Sequence, residues 1–336
     1  MQNTKNDFYN HYIALDWSKE NFALASIRNN GAKYNVEEHP SSIKKLKECL
    51  SKYSGKKILT IEETTTAHWL YVELFDLVDK ILICEPYYNS LLKSGPKNDK
   101  SDAVKLCTLL RHRSLKEVFH TTDELYRLRK LVSSYDDFIK SIVRLKNQRS
   151  AMFLSEGKDH KKEKILSGNE INLFVTQQQN LIIEQTEGVR KEYVKIFRKL
   201  KRENQTVSQL NQVPGIAEVL SVTILSVVID ANRFEDKYKY YAYCGLVKYK
   251  KDSGGRNYGK RNVRYSRPLK SSYKIAANAA IGGNNDVREY YEYLIQNNTS
   301  IEDARNQIAR YIAKVTYAIM KYKTDYRPYQ WRENME

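Results

Sequence analysis

Cysteine is the first shortage in this 336-residue chain: the four present, Cys49, Cys84, Cys107 and Cys244, share no CxxC spacing. The six histidines form no ligand-like sequence pair with them. The pattern offers neither a disulfide framework nor a zinc motif, and it reads as small buried thiols in a reducing cytoplasm. Long apolar runs are missing too. The longest, Val219 to Ile229, is broken by Ser221, Thr223 and Ser226 and falls far short of the ~20 residues that span a bilayer. The polar opening Met1-Gln2-Asn3-Thr4-Lys5-Asn6-Asp7 is not expected to act as a secretory signal. Acid is in deficit, with 40 Asp and Glu against 57 Lys and Arg, a formal charge of +17. Such a surplus points to a polyanionic partner, nucleic acid first. Phenylalanine is also sparse, 9 against 26 tyrosines, and with abundant Lys, Asn and Ile this is what AT-rich coding would produce, so charge alone does not decide the matter.

The length exceeds one ordinary core and predicts two or three domains. Residues 10–120 alternate strands and helices. Tyr12–Leu15 reads as a strand, and Phe22–Arg28 as a second that turns at Asn29-Asn30-Gly31 into Lys33–Val36. A helix follows from Ser41 to about Lys52, then strand Ile58–Ile61, a helix through Trp69 and Leu74, strand Lys80–Cys84, and a short helix opened by Pro86. This is an α/β domain with a three-stranded antiparallel edge and parallel strands behind, the organisation of ribonuclease H-like domains, expected over residues 1–120. Beyond His120, apolar residues recur at alternating spacings of three and four, from Leu125 to Ile142 and again from Ile182 to Leu200. These predict two long helices over 121–206, interrupted by the polar stretch 156–169, as an antiparallel hairpin or a dimerising coiled coil. A mainly helical domain is expected over 207–336. Its Val213-Pro214-Gly215-Ile216 fits either a helix-hairpin-helix turn that holds a phosphate or an ordinary corner between helices.

Two constellations carry chemistry. Asp16 ends the apolar run from Tyr12, Glu62 ends the run from Ile58, and Asp99 and Asp102 stand three apart at the start of a helix expected to begin at Asp102. Each acid alone could be a cap or a solvated loop residue. In this order, two neighbouring strands and one helix would bring all four together, and buried acids need a cation to neutralise them. Paired divalent ions would do so while activating a nucleophile for phosphodiester chemistry. Strand alternation puts Ile58, Thr60 and Glu62 on one face and the adjacent Glu63 on the other. In the second constellation Ser253 precedes Gly254 and Gly255 in a stretch crowded with Lys248, Lys250, Lys251, Arg256, Lys260, Arg261, Arg264 and Arg267. A hydroxyl there can attack phosphorus, or the segment can be a flexible basic loop that only clamps a phosphate backbone.

Taken together, Leu15-Asp16-Trp17-Ser18-Lys19, Glu62 through His68-Trp69, Lys97-Asn98-Asp99-Lys100-Ser101-Asp102-Ala103, Val213-Pro214-Gly215-Ile216, Arg233-Phe234-Glu235, Tyr243-Cys244-Gly245-Leu246 and Ser253-Gly254 resemble the DEDD transposases of bacterial insertion sequences. These are relatives of pilin invertases and include recombinases guided by a bridge RNA. The resemblance runs from about residue 10 to 325. It implies a RuvC-like domain in which Asp16, Glu62, Asp99 and Asp102 bind Mg²⁺, two ions with Mn²⁺ as a substitute, and a C-terminal transposase domain whose Ser253 is the nucleophile. It also implies strand exchange between donor and target double-stranded DNA through a phosphoserine link, a homo-oligomer (dimer or tetramer) that shares its sites, a noncoding bridge RNA, and a place in the bacterial cytoplasm at the nucleoid. Two positions depart from the pattern: Thr65 stands where relatives often carry glycine, and Ala217 replaces the second glycine of Gly-Ile-Gly. Two other readings stay open, a RuvC-like endonuclease that uses water, and an inactive nucleic-acid-binding assembly protein.

Overall fold

A computed structural model describes residues 8–86, 98–261 and 264–328, with the side chains of Lys251, Ser253 and Lys260 outside that description. The chain forms two compact units, Met1–Asp123 and Glu124–Glu336.

The first unit is built on a six-stranded sheet of order β3-β2-β1-β4-β5-β6. Its strands are β1 (His11–Trp17), β2 (Asn21–Arg28), β3 (Asn35–Pro40), β4 (Lys57–Glu62), β5 (Lys80–Cys84) and the two-residue β6 (Glu117–Val118). β1, β2 and β3 form an antiparallel meander, β4 and β5 run parallel to β1, and β6 closes the far edge antiparallel to β5. This is the expected ribonuclease H-like α/β arrangement. Alternation along β1 gives each face its own core. Ile13 and Leu15 pack with residues of helices α1 (Ile43–Ser51) and α2 (Ala67–Leu74), while Tyr12 and Ala14 pack with Ala103, Leu106, Cys107 and Leu110 of α3 (Asp99–Arg111). Small residues at Ala14, Ala23 and Ala25 let α3 lie close to the sheet.

Two elements differ from the sequence reading. β3 begins at Asn35 rather than Lys33, because the guanidinium of Arg111 donates to the carbonyls of Asn29 and Gly31 and holds the turn as a loop. α3 begins at Asp99 rather than Asp102, because the Asn98 side chain caps it by accepting from the Ser101 N–H at 2.7 Å. The helix expected from Pro86 lies largely outside the described residues.

The second unit is helical with one small ribbon. The long helices α4 (Leu128–Ser155) and α5 (Glu170–Glu203) pack against each other, and Phe197 of α5 belongs to the same core as α6 (Gln205–Leu210) and α7 (Glu218–Val228). α8 (Lys237–Tyr243), α9 (Arg267–Ile281), α10 (Asp286–Gln296) and α11 (Ile301–Tyr322) complete that core. The hydroxyls of Ser221, Thr223 and Ser226 bond back to α7's own carbonyls, so the polar interruptions of the apolar run are satisfied inside the helix.

Candidate active site

β1 and β4 are parallel neighbours in a register that pairs Ala14 with Thr60 and Leu15 with Ile61, so Asp16 and Glu62 end adjacent strands side by side. Both point to the face that α3 covers, since they share strand parity with Tyr12, Ala14 and Ile58, which pack beneath it. α3 carries Asp99 and Asp102 in its first turn. Fold and register therefore converge all four acids on one end of the sheet. The electrostatics report the same convergence. Burial raises the Asp16 carboxyl from 3.8 to about 6, with the charges of Asp99, Asp102 and Glu62 adding to the rise. Glu63 goes elsewhere: its N–H donates to the Cys84 carbonyl, and its carboxylate lies 3.9 Å from Nε2 of the buried His120.

Lys105, a residue the sequence reading passed over, donates to Asp102 Oδ1 at 3.0 Å. The i,i+3 spacing on an amphipathic helix was its only sequence signal. It neutralises one acid of four, which leaves a surplus of negative charge. All-oxygen carboxylate donors suit a hard divalent ion such as Mg²⁺ or Mn²⁺, and a carboxyl raised to about 6 by burial and by neighbouring acids is one that such an ion would relieve. Asp16, Glu62, Asp99 and Asp102 thus fit a divalent cation. Among the described residues, the group whose ligand atoms already lie within 4.8 Å of one another is a different one, Glu37, His39 and Cys49.

The basic segment is a β-hairpin, not a flexible loop. β7 (Tyr249–Ser253) and β8 (Arg256–Arg261) pair antiparallel, with Ser253 opposite Arg256 across the two-residue turn Gly254-Gly255. Both glycines have positive φ, 56° and 76°, as the two-residue turns that match strand twist require. The register then slips between Lys250 and Asp252, so that Tyr258 and Gly259 oppose Lys251 in a bulge, where Gly259 has φ 86°. The sequence reading missed these strands because Lys, Arg and Gly give no apolar alternation; the Gly-Gly pair was the available signal. Lys248, Lys250, Arg256, Arg261, Arg264 and Arg267 are exposed, as is Gly254. Ser253 is the last residue of β7, placed at the ribbon's tip; its side chain, like those of Lys251 and Lys260, lies outside the described part.

Gly215 has φ 83°, and a Cβ there would meet the Ala276 carbonyl oxygen at 2.1 Å. The Pro-Gly turn is thereby pressed against α9, which accounts for its glycine by packing.

No helix among the described residues is long and apolar enough to cross a membrane. The family model for DEDD transposases of the IS110 type, described as a transposase, matches residues 13–155, and the model of the transposase IS116/IS110/IS902 family matches residues 207–292. No curated protein matches the chain significantly. The two matches cover about two thirds of the sequence and enclose both constellations, the acids in the first and the Ser253 ribbon in the second. The chain belongs to the DEDD transposases of insertion sequences.

Proposed function

We propose that this transposase exchanges DNA strands by serine transesterification at a site completed by Mg²⁺ held on Asp16, Glu62, Asp99 and Asp102. The observation that carries the reading is the convergence of the four acids on one end of the sheet, Asp16 and Glu62 from paired parallel strands and Asp99 and Asp102 from the first turn of α3. Transposases of this family generally use divalent metal ions, and their substrate is DNA. When bound, the ions would supply Lewis acidity toward a phosphoryl oxygen and charge for the leaving oxygen. The residues of the chain do the rest. Asp16 must be ionised to act as a ligand, so protons compete with the ion there, and cation binding should weaken as pH falls toward and below about 6. Lys105 holds Asp102 in place from one turn along α3.

In the strand-breaking step the Ser253 Oγ attacks phosphorus, the bond to one deoxyribose oxygen breaks, and the serine proton leaves to solvent or a neighbouring base while the departing oxygen gains one. The phosphodiester becomes a phosphoserine ester, so bond energy is kept for rejoining to another strand. Lys248, Lys250, Arg256, Arg261, Arg264 and Arg267 line the ribbon and its exit with positive charge that can neutralise backbone phosphates. The remainder of the reading concerns assembly and address: a homo-oligomer, dimer or tetramer, in which one copy's serine serves another's acids, and a bridge RNA that selects donor and target by pairing. Guidance by pairing would explain why the chain needs charge and not a base-reading motif.

The reading is tested on a nicked DNA substrate with Mg²⁺, resolved on a denaturing gel. A slow-migrating protein–DNA adduct is expected, absent in Ser253→Ala; an adduct that persists in that variant would move the nucleophile elsewhere. Sequencing of nucleic acid that co-purifies through a wash at about 0.5 M salt, where electrostatic contacts are largely screened, tests the guide. One discrete RNA encoded beside the gene is expected, and a mixture matching the cellular pool would remove guidance.

A further inference from the structure

Away from the four acids, on the opposite face of the same sheet, three side chains of different chemistry come together. Glu37 and His39 alternate on the edge strand β3 and face the sheet side covered by α1, from which Cys49 projects. One ligand atom from each, a carboxylate oxygen, an imidazole nitrogen and the thiol sulfur, lie within 4.8 Å of one another. No sequence spacing announces this group, because strand and helix bring it together only through the fold.

The surroundings already orient the donors. Glu37 Oε1 accepts from the Asn35 side-chain amide at 3.0 Å, which leaves Oε2 directed at His39 Nε2, 3.2 Å away. The His39 ring packs against Phe22, with centroids 5.5 Å apart. Cys49 is buried at 1% exposure beside Leu46 and Leu50, and burial together with the Glu37 charge pushes its thiol up, while Lys52 and Lys45 pull it down. His39 and Glu37 keep 24% and 28% of their side-chain surface, so an ion reaching them can retain a solvent-facing position. Ligand pairs around a tetrahedral ion lie roughly 3.3–3.8 Å apart, given bonds of about 2.0–2.3 Å, so a small inward movement of an edge-strand side chain would close the site. Metal-bound ligands are ordinarily held by such outer hydrogen bonds.

We propose that Glu37, His39 and Cys49 form a binding site for a thiophilic divalent ion, Zn²⁺ foremost, that ties the sheet's edge strand to α1. The donor set excludes Mg²⁺, which avoids sulfur, and separates this site from the all-carboxylate one. On binding, the Cys49 thiol releases its proton to solvent and coordinates as thiolate, His39 exchanges its hydrogen bond with Glu37 for the ion, and water fills the fourth position. The ion joins strand to helix at the sheet edge, where an unpaired row of backbone groups is otherwise least constrained.

The test uses the full chain stripped of metal and kept reduced, in excess Mg²⁺ to occupy the carboxylates. Co²⁺, a spectroscopic stand-in for Zn²⁺, should bind with one equivalent that shows thiolate-to-metal charge-transfer absorption, and Zn²⁺ should displace it. That absorption should vanish in Cys49→Ala, and Co²⁺ affinity should fall at least tenfold in His39→Gln and in Glu37→Gln, two partly exposed edge-strand positions outside the hydrophobic core. Absence of the charge-transfer band in the wild type overturns the proposal, as does a band of equal strength in Cys49→Ala, which would assign it to Cys84, Cys107 or Cys244. Unchanged affinity in both the His39→Gln and Glu37→Gln variants overturns it as well, whatever the behaviour of Cys49→Ala. None of these readouts depends on DNA cleavage.

Discussion

In the α/β unit Asp16 and Glu62 lie at the ends of strands whose inner residues are almost wholly buried, whereas in the helical unit the basic residues line a two-stranded ribbon whose described side chains face solvent. The first arrangement fixes its chemistry through the core: Asp16 sits where it does because Ile13 and Leu15 must face one way and Tyr12 and Ala14 the other. The second fixes its chemistry through turn geometry alone, with Gly254 and Gly255 setting the strand pairing that carries Ser253. A functional group anchored in a core is coupled to stability, because its charge is partly desolvated. One on a solvated ribbon can change its chemistry with little thermodynamic trace.

The largest effect should be shared by both regions. Asp102→Asn and Ser253→Ala should each reduce strand exchange by at least about 10²-fold, the scale of losing one electrostatic contact in a catalytic site. The comparison is sharpened by the melting temperature: added Mg²⁺ should raise it more in wild type than in Asp102→Asn, while Ser253→Ala should respond as wild type does. A Ser253→Ala protein that melts differently would break the contrast.

Next in size is a pair of glycine changes. Gly215→Ala forces a Cβ against the Ala276 carbonyl at a positive φ and should cost about 2–4 kcal/mol, read as a lowered chemical-denaturation midpoint. Gly254→Ala meets no atom within 4 Å and carries only the backbone penalty, about 1 kcal/mol, confined to the ribbon. Global stability should hardly register it, yet adduct formation should fall as the turn distorts.

Between these lies Asp16. Its carboxyl titrates at about 6 in the fold and near 3.8 in an ordinary setting, so the native state holds the proton more tightly. The resulting stabilisation is fully present below pH 3.8 and is lost as pH rises through 6. In metal-free protein, Asp16→Asn should therefore stabilise at pH 7.5 by roughly 1–2 kcal/mol, after discounting for the solvent that reaches this half-buried group, and the gain should disappear by about pH 4. Denaturant titrations at the two pH values measure it, and a gain that persists at pH 4 would mean that burial and the neighbouring acids do not raise the Asp16 carboxyl in the fold.

The same contrast explains what could be read without a structure. The strands of the sheet were legible because Tyr12–Leu15, Ile58–Ile61 and Ile81–Ile83 are apolar runs, and their order placed Asp16 beside Glu62. The turn at Asn29-Asn30-Gly31 was legible but its extension to Asn35 was not, since that depends on Arg111, some eighty residues away, reaching back to Asn29 and Gly31. β7 and β8 were hidden because a solvated ribbon needs no hydrophobic period. Lys105 was passed over because one more lysine in a chain of such charge carries no signal until Asp102 is seen 3.0 Å away. The Glu37, His39 and Cys49 group lay beyond any reading by spacing, since its members, from β3 and α1, meet only in the folded sheet.

The central claim, that four particular carboxylates act as one cation site, is tested most directly by calorimetric titration of Mg²⁺ into wild type, Asp16→Asn, Glu62→Gln, Asp99→Asn, Asp102→Asn and Glu63→Gln at pH 7.5. Glu63 is the internal control, adjacent in sequence to Glu62 yet turned toward His120. Each of the four changes should weaken binding at least tenfold while Glu63→Gln binds as wild type does. Equal weakening by Glu62→Gln and Glu63→Gln, or binding untouched by loss of Asp16, would contradict the account.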